Sequence, residues 1–76
     1  MARVYLLVNV LPGKETSIRD TMRGIKGIIT ADIVTGPFDI IAVAEGKDTD
    51  EIFSRVLMKT RKIKGLNRTE TIIAVE

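Results

Sequence analysis

Two short segments hold the residues whose types and spacing could do chemistry. The first, Gly36-Pro37-Phe38-Asp39, has turn residues at its centre and ends in a carboxylate, and the second carries the hydroxyls of Thr69 and Thr71. Glycine leaves room for a ligand to approach the amides of Phe38 and Asp39, which can hold a carboxylate. The side chain of Asp39 can pair with an ammonium group. A zwitterionic amino acid presents both charges, so the two segments together predict a small-molecule binding site.

Each of these residues also has a purely structural interpretation. Asp39 could accept backbone N–H groups across a hairpin, as aspartate does in Asx-type contacts. Thr69 and Thr71 have the β-propensity of ordinary strand residues. The sequence by itself leaves both interpretations open at all three positions.

Composition argues against most other kinds of site. The 76 residues include no cysteine and no histidine, which removes disulfides, thiolate or imidazole metal ligands and a histidine base. Asp32 and Asp39 flank the predicted turn, but nothing marks them as a coupled acid–base pair, and no nucleophile stands beside a base. We therefore expect no enzymatic activity, no cofactor and no metal.

Charge and hydropathy suggest a cytoplasmic protein that does not itself bind nucleic acid or a membrane. The net charge is +2, from 12 basic and 10 acidic residues that are interspersed along the chain. No apolar run approaches the roughly 20 residues that a membrane-spanning helix needs. One local basic cluster lies near the predicted end of the second helix, where it either complements the helix dipole or forms an anion patch. Its members are Lys59, Arg61, Lys62, Lys64 and Arg68.

The elements that must position the two segments follow from hydrophobic periodicity. Helical spacing of apolar residues from Thr16 predicts a first helix that is closed by Gly24 and Gly27. The same spacing after Asp48, which begins a capping-box pattern, predicts a second helix that ends at Gly65. Runs of branched residues predict strands over about 3–10, 29–34, 39–45 and 69–75. The order β-α-β-β-α-β in one domain, 1–76, predicts an α+β ferredoxin-like sandwich, with a four-stranded antiparallel sheet and both helices on one face.

The second face of this sheet is also predicted to be apolar. If Val4, Leu6, Val8 and Val10 face the helices, then the hairpin strands still carry apolar residues at both parities, where a solvated face would alternate with polar ones. An exposed apolar patch of that size on a monomer would invite aggregation. We expect a second copy of the chain to cover it, as a two-fold dimer of the dimeric α+β barrel type.

Three stretches of the sequence resemble the Lrp/AsnC family of leucine-responsive and asparagine-responsive transcriptional regulators. Val34-Thr35-Gly36-Pro37-Phe38-Asp39 followed by two isoleucines is similar to the Gly-x-aromatic-Asp hairpin of the family. Gly65-Leu66-Asn67-Arg68-Thr69-Glu70-Thr71 is similar to the family's Gly-Val-x-x-Thr-x-Thr segment, and residues 8–15 fit its first strand and turn. The resemblance extends over the whole chain and covers the effector-binding RAM domain, in a form without the DNA-reading helix-turn-helix.

The resemblance implies a dimer that assembles further into octameric or decameric rings and binds an amino-acid effector between dimers. Gly36 would shape the loop, with Pro37 removing one backbone donor. Phe38 would wall the site and Asp39 would hold the ammonium group. Thr69 and Thr71 would offer hydroxyls from a neighbouring subunit. Full-length Lrp/AsnC regulators would be partners through mixed dimers.

Two alternatives remain at this stage. The chain could be a structural or adaptor protein whose hairpin motif has no effector. It could also be a small enzyme of dimeric α+β barrel type, such as a monooxygenase or tautomerase, although no base or cofactor motif supports that assignment.

Overall fold

The computed structural model describes residues 1–75 and has the predicted element order. The strands are β1 (Ala2–Val10), β2 (Ile28–Ile33), β3 (Ile40–Gly46) and β4 (Leu66–Ile73), and the first helix is α1 (Glu15–Arg23). The second helix, α2, runs through Thr49–Ile52, Phe53–Leu57 and Met58–Thr60, and its middle segment is π-helical. The strands pair antiparallel in the order β2-β3-β1-β4. The ferredoxin-like βαββαβ prediction is confirmed.

One face of the sheet and both helices enclose a single core. Alternation along β1 turns every second residue inward, so that Val4, Leu6 and Val8 are fully buried under the helices. The core side chains are at most 9% exposed; they are Val4, Leu6, Val8, Val10, Ile18, Met22, Ile25, Ala31, Ile40, Ala42, Ala44, Ile52, Val56 and Leu57. Fully burying one such aliphatic side chain stabilises the fold by about 1.5–3 kcal/mol.

Helix α2 differs from the sequence prediction at its end and in its middle. Its start has the expected Asp48 cap, since the Glu51 N–H donates to Asp48 Oδ1 at 2.9 Å. The Glu51 side chain reaches one residue further than a capping box requires, and its Oε1 accepts the Lys47 N–H at 3.0 Å. It ends at Thr60 rather than at Gly65, which has φ +100° and leads directly into β4. The π-helical turn departs from the 3.6-residue period, and Phe53 within it is 38% exposed.

The strand boundaries differ from the predicted ones by up to three residues. Strand β4 begins at Leu66 because its pairing with β1 continues past Arg68, through a bulge, as far as Val10. Asn67 is the extra residue of that bulge, since Arg68 pairs with Asn9 and Leu66 with Val10. A bulge of this kind depends on the partner strand and has no signal in the β4 sequence alone.

The face of the sheet away from the helices, here called the open face, is apolar at its centre, as predicted. Tyr5, Leu7, Ile41 and Val43 are half-buried there, and Ile72 is 52% exposed. Covering of this face by a second chain stays a prediction. Within residues 1–75, no helix is long and apolar enough to cross a membrane.

Candidate functional site

The loop between β2 and β3 carries the first predicted segment. The Val34 N–H donates to the Asp39 carbonyl at 2.9 Å and closes this loop at its base. Gly36 has φ +130°, a conformation that L side chains rarely adopt, and a Cβ built there would meet no atom within 4 Å. Backbone conformation rather than lack of space therefore requires glycine at this position, and the loop tip is open to a ligand.

The Asp39 carboxylate fastens the loop to the end of β1. Its Oδ2 accepts the Val10 N–H at 2.9 Å and lies 3.4 Å from Asn9 Nδ2. The same Asn9 Nδ2 donates to the Pro37 carbonyl at 2.9 Å. Asp39 thus accepts a backbone N–H, but the donor lies in β1 and not across the hairpin as the structural interpretation expected. Within residues 1–75, no donor reaches the second carboxylate oxygen, Oδ1, so one oxygen stays available to a ligand.

The backbone amides of the loop fit the predicted site only in part. The Asp39 N–H donates to the Val8 carbonyl at 2.9 Å, so the expectation that this amide could hold a ligand carboxylate is wrong. No backbone acceptor within residues 1–75 receives the N–H of Gly36 or of Phe38, and these are the amides that this segment can offer.

A cation that sequence reasoning did not assign to the site lies against the loop. The Arg68 guanidinium stands 5.9 Å from the centroid of the Phe38 ring, within the range of a cation–π contact. Its Nη2 donates to Glu70 Oε1 at 2.8 Å. Arg68 pairs across the strands with Asn9, the residue that bonds Asp39 and Pro37. We name the set Asn9, Pro37, Phe38, Asp39 and Arg68 the hairpin cluster.

Thr69 and Thr71 lie on the other side of the sheet. They pair with Val8 and Leu6, whose side chains point into the core, so both threonines face the helix side of the edge strand. The structure therefore does not bring the two threonines together with Asp39 within one chain. Thr71 instead borders a groove of about 230 Å³ between α2 and β4. The other residues that line this groove are Phe53, Leu57, Met58 and Arg61.

Among residues 1–75, the other charged residues of the open face do not form a second site of this kind. Arg3 donates through Nε to Glu45 Oε2 at 2.9 Å, and this hydrogen bond raises the pKa of the Arg3 guanidinium. Asp32 is exposed on β2, and its Oδ1 lies 3.5 Å from Arg23 Nη2. Within residues 1–75, no group of three Asp, Glu, His or Cys residues could hold a metal ion.

Solved structures with the same fold include a bacterial chain of similar length and two transcriptional regulators. TTHA0845 of Thermus thermophilus has TM-score 0.93 at 24% identity, over 100% of this chain and 95% of that one. AsnC of E. coli has TM-score 0.88 at 16% identity, over 99% of this chain and 51% of AsnC. The regulator NMB0573 of Neisseria meningitidis, solved as its complex with L-Met, has TM-score 0.76 at 15% identity, over 99% and 50%.

Comparison of this sequence with models of protein families identifies its family. A search of curated proteins found no match. The model of the Lrp/AsnC ligand binding domain, however, matches residues 3–76, nearly the entire chain. This match agrees with the hairpin and last-strand motifs and with the fold of the AsnC structure. The chain belongs to the Lrp/AsnC ligand-binding domain family.

Proposed function

We propose that the protein is an amino-acid-binding regulatory module that works as a homo-oligomer. The observation that carries the proposal is the hairpin cluster, which places a carboxylate, a guanidinium and an aromatic ring around a glycine-opened loop. Oδ1 of Asp39 can accept a ligand ammonium group while Oδ2 continues to hold Val10. The L-Met complex of the N. meningitidis regulator supports an amino acid as the class of ligand.

The proposed oligomer begins with a two-fold dimer through the open face. Four half-buried apolar residues and Ile72 form a surface that a second copy can cover with the same residues. Octamers or decamers would then form from dimers. Because Thr69 and Thr71 face away from their own hairpin cluster, their hydroxyls could complete only the site of a different subunit. Mixed dimers with full-length Lrp/AsnC regulators are the proposed route to transcriptional control.

An adaptor function without an effector is the second candidate. It is favoured by the contacts of Asp39 with Val10 and Asn9, because they give this residue a structural reason to be present. In that case the hairpin motif would serve only to fasten the loop to β1.

A thermal-shift screen of the standard L-amino acids separates the two candidates. A ligand at 100 times its dissociation constant should stabilise the native state by about 2.7 kcal/mol. Light scattering on the same samples reports the oligomer and its response to the ligand. No shift with any amino acid, together with a stable oligomer, would favour the adaptor function.

The site assignment is tested by calorimetry on Asp39→Asn, with Asp32→Asn as the matched control. Asparagine keeps an oxygen acceptor for the Val10 N–H but removes the negative charge that an ammonium group requires. We expect Asp39→Asn to lose binding of the amino acid found in the screen. Asp32 is an exposed aspartate of β2, and its variant should bind like the wild type. Undiminished binding by Asp39→Asn would contradict the assignment.

A further inference from the structure

We propose that Arg68 is the residue that recognises the ligand's carboxylate at the hairpin cluster, and so restricts the site to molecules with a free carboxylate. This inference rests on the proposed amino-acid-binding function and deepens it. Arg68 occupies one of the variable positions of the last-strand motif, so the family pattern does not prescribe an arginine there.

The backbone next to Asp39 offers few N–H donors to a ligand carboxylate. Pro37 has no N–H, and the N–H of Asp39 is held by the Val8 carbonyl. Among the last three residues of the loop motif, the Phe38 N–H alone is left to face an anion. A carboxylate has two oxygens and is bound most strongly by paired or charged donors. Within residues 1–75, the Thr35 and Gly36 N–H groups also lack a backbone acceptor, but all these amides are neutral, so a charged donor would bind the carboxylate more strongly.

Arg68 lies beside the loop and has guanidinium N–H groups that are not used in other contacts. Its guanidinium lies 5.9 Å from the Phe38 ring centroid, and Nη2 is bonded to Glu70 at 2.8 Å. These two contacts place the guanidinium beside the loop, and the hydrogen bond uses one of its several N–H groups. The Arg68 side chain is still 63% exposed, so the remaining donors are open to a ligand. Glu70 lowers the net charge around Arg68 but bonds only Nη2 of the guanidinium.

The backbone beside Arg68 is irregular. The bulge at Asn67 immediately precedes Arg68 and interrupts the regular ladder between β4 and β1. Bulges re-aim the neighbouring side chains and are frequent beside binding sites. Arg68 itself keeps the regular register of β4 with β1 up to the edge of the bulge, and it lies across from Asn9, whose amide nitrogen contacts both Pro37 and Asp39.

The charge arrangement then matches that of an α-amino acid. Asp39, with one free oxygen, and Arg68 lie on opposite sides of Asn9 on the open face. An ammonium group at Asp39 and a carboxylate at Arg68 would each meet an opposite charge, with the Phe38 ring beside them. A purely structural Arg68 would contribute little, because exposed ion pairs such as Arg68 with Glu70 stabilise a protein by only about 0–1 kcal/mol.

A double-mutant cycle between protein and ligand tests this inference. The probes are the L-amino acid that binds most tightly in the screen and its primary amide, which lacks the carboxylate charge. Calorimetry measures both probes on the wild type, on Arg68→Gln and on Arg68→Lys, at one protomer concentration. Arg55→Gln, at an exposed arginine of α2 on the helix side of the sheet, is the matched control. Circular dichroism melts verify that each variant is folded.

We expect Arg68→Gln to weaken binding of the free amino acid roughly 10- to 100-fold, the effect of losing a charged hydrogen bond. The same variant should bind the amide as the wild type does, so the two changes are non-additive. Arg68→Lys should recover part of the affinity because it retains the charge but not the planar fork. Arg55→Gln should change neither probe.

Two results would overturn the inference, and they are distinguishable. If the wild type binds no amino acid, the proposed function fails and this inference fails with it. If the wild type binds but Arg68→Gln weakens the free acid and the amide equally, or weakens neither, then amino-acid binding stands and the role of Arg68 is refuted.

Discussion

Replacement of Asp39 by alanine should destabilise the protein through the amide of Val10. Val10 is 8% exposed, and its N–H donates to Asp39 Oδ2 at 2.9 Å. An unsatisfied buried donor costs about 1–3 kcal/mol. Because Asp39 itself is half-buried, water can partly replace the carboxylate, so we expect a loss of about 1–2 kcal/mol in the free energy of unfolding. For a domain of this size that corresponds to a fall in Tm of about 4–8 °C for each kcal/mol.

Urea denaturation at a fixed protomer concentration is the appropriate assay, because an oligomer's apparent stability depends on concentration. Asp32→Ala is the control. The Asp32 side chain is 64% exposed and its Oδ1 lies 3.5 Å from Arg23 Nη2, so its removal should change the free energy of unfolding by less than about 0.5 kcal/mol. Asp39→Asn should fall between the two, since it keeps an acceptor oxygen. Equal stability of Asp39→Ala and Asp32→Ala would refute the claim that the carboxylate fastens the loop to β1.

Two further stability predictions concern a glycine and a helix cap. Gly27→Ala should lower the free energy of unfolding by about 2–4 kcal/mol, because φ is +105° and the new Cβ would lie 2.8 Å from Val56 Cγ2. Gly13→Ala, at φ +83° with no atom near the new Cβ, should lower it by only about 1–2 kcal/mol. Equal losses of stability in thermal melts would show that the contact with Val56 does not matter. Asp48→Ala should cost about 0.5–2 kcal/mol through loss of the α2 cap, while the neighbouring exposed Asp50 should tolerate alanine in the same denaturation assay.

The fold was predictable from the sequence because its local signals agree with one another. The period changes from two in β1 to helical spacing at Ile18 and Met22, and the capping residues of α2 stand at the expected spacing. The end of α2 was not predictable in the same way. Gly65 is a plausible helix terminator by type, but its positive φ serves the turn into β4 after the helix has already ended at Thr60.

The candidate site was predictable in its loop and not in its partners. Gly36, Phe38 and Asp39 are close in sequence, so turn chemistry alone brings them together. Asn9 reaches the loop through the pairing of β1 with β3, and Arg68 through the pairing of β4 with β1. Both pairings join segments that are far apart in the chain. The sequence did contain one indication of the role of Arg68. Neighbouring residues of a strand point to opposite faces of the sheet, so either Arg68 or Thr69 had to lie on the same face as Asp39.

The structural and binding roles of Asp39 are compatible because a carboxylate has two oxygens. Oδ2 is committed to Val10 and Asn9, and this commitment fixes the direction in which Oδ1 is presented. The loop contact would therefore position the binding group rather than compete with it. Asp39→Asn separates the two roles, since it retains an acceptor and loses the charge. Near-native stability combined with loss of amino-acid binding is the combination that both roles together require, whereas a stable variant that still binds would confine Asp39 to the loop.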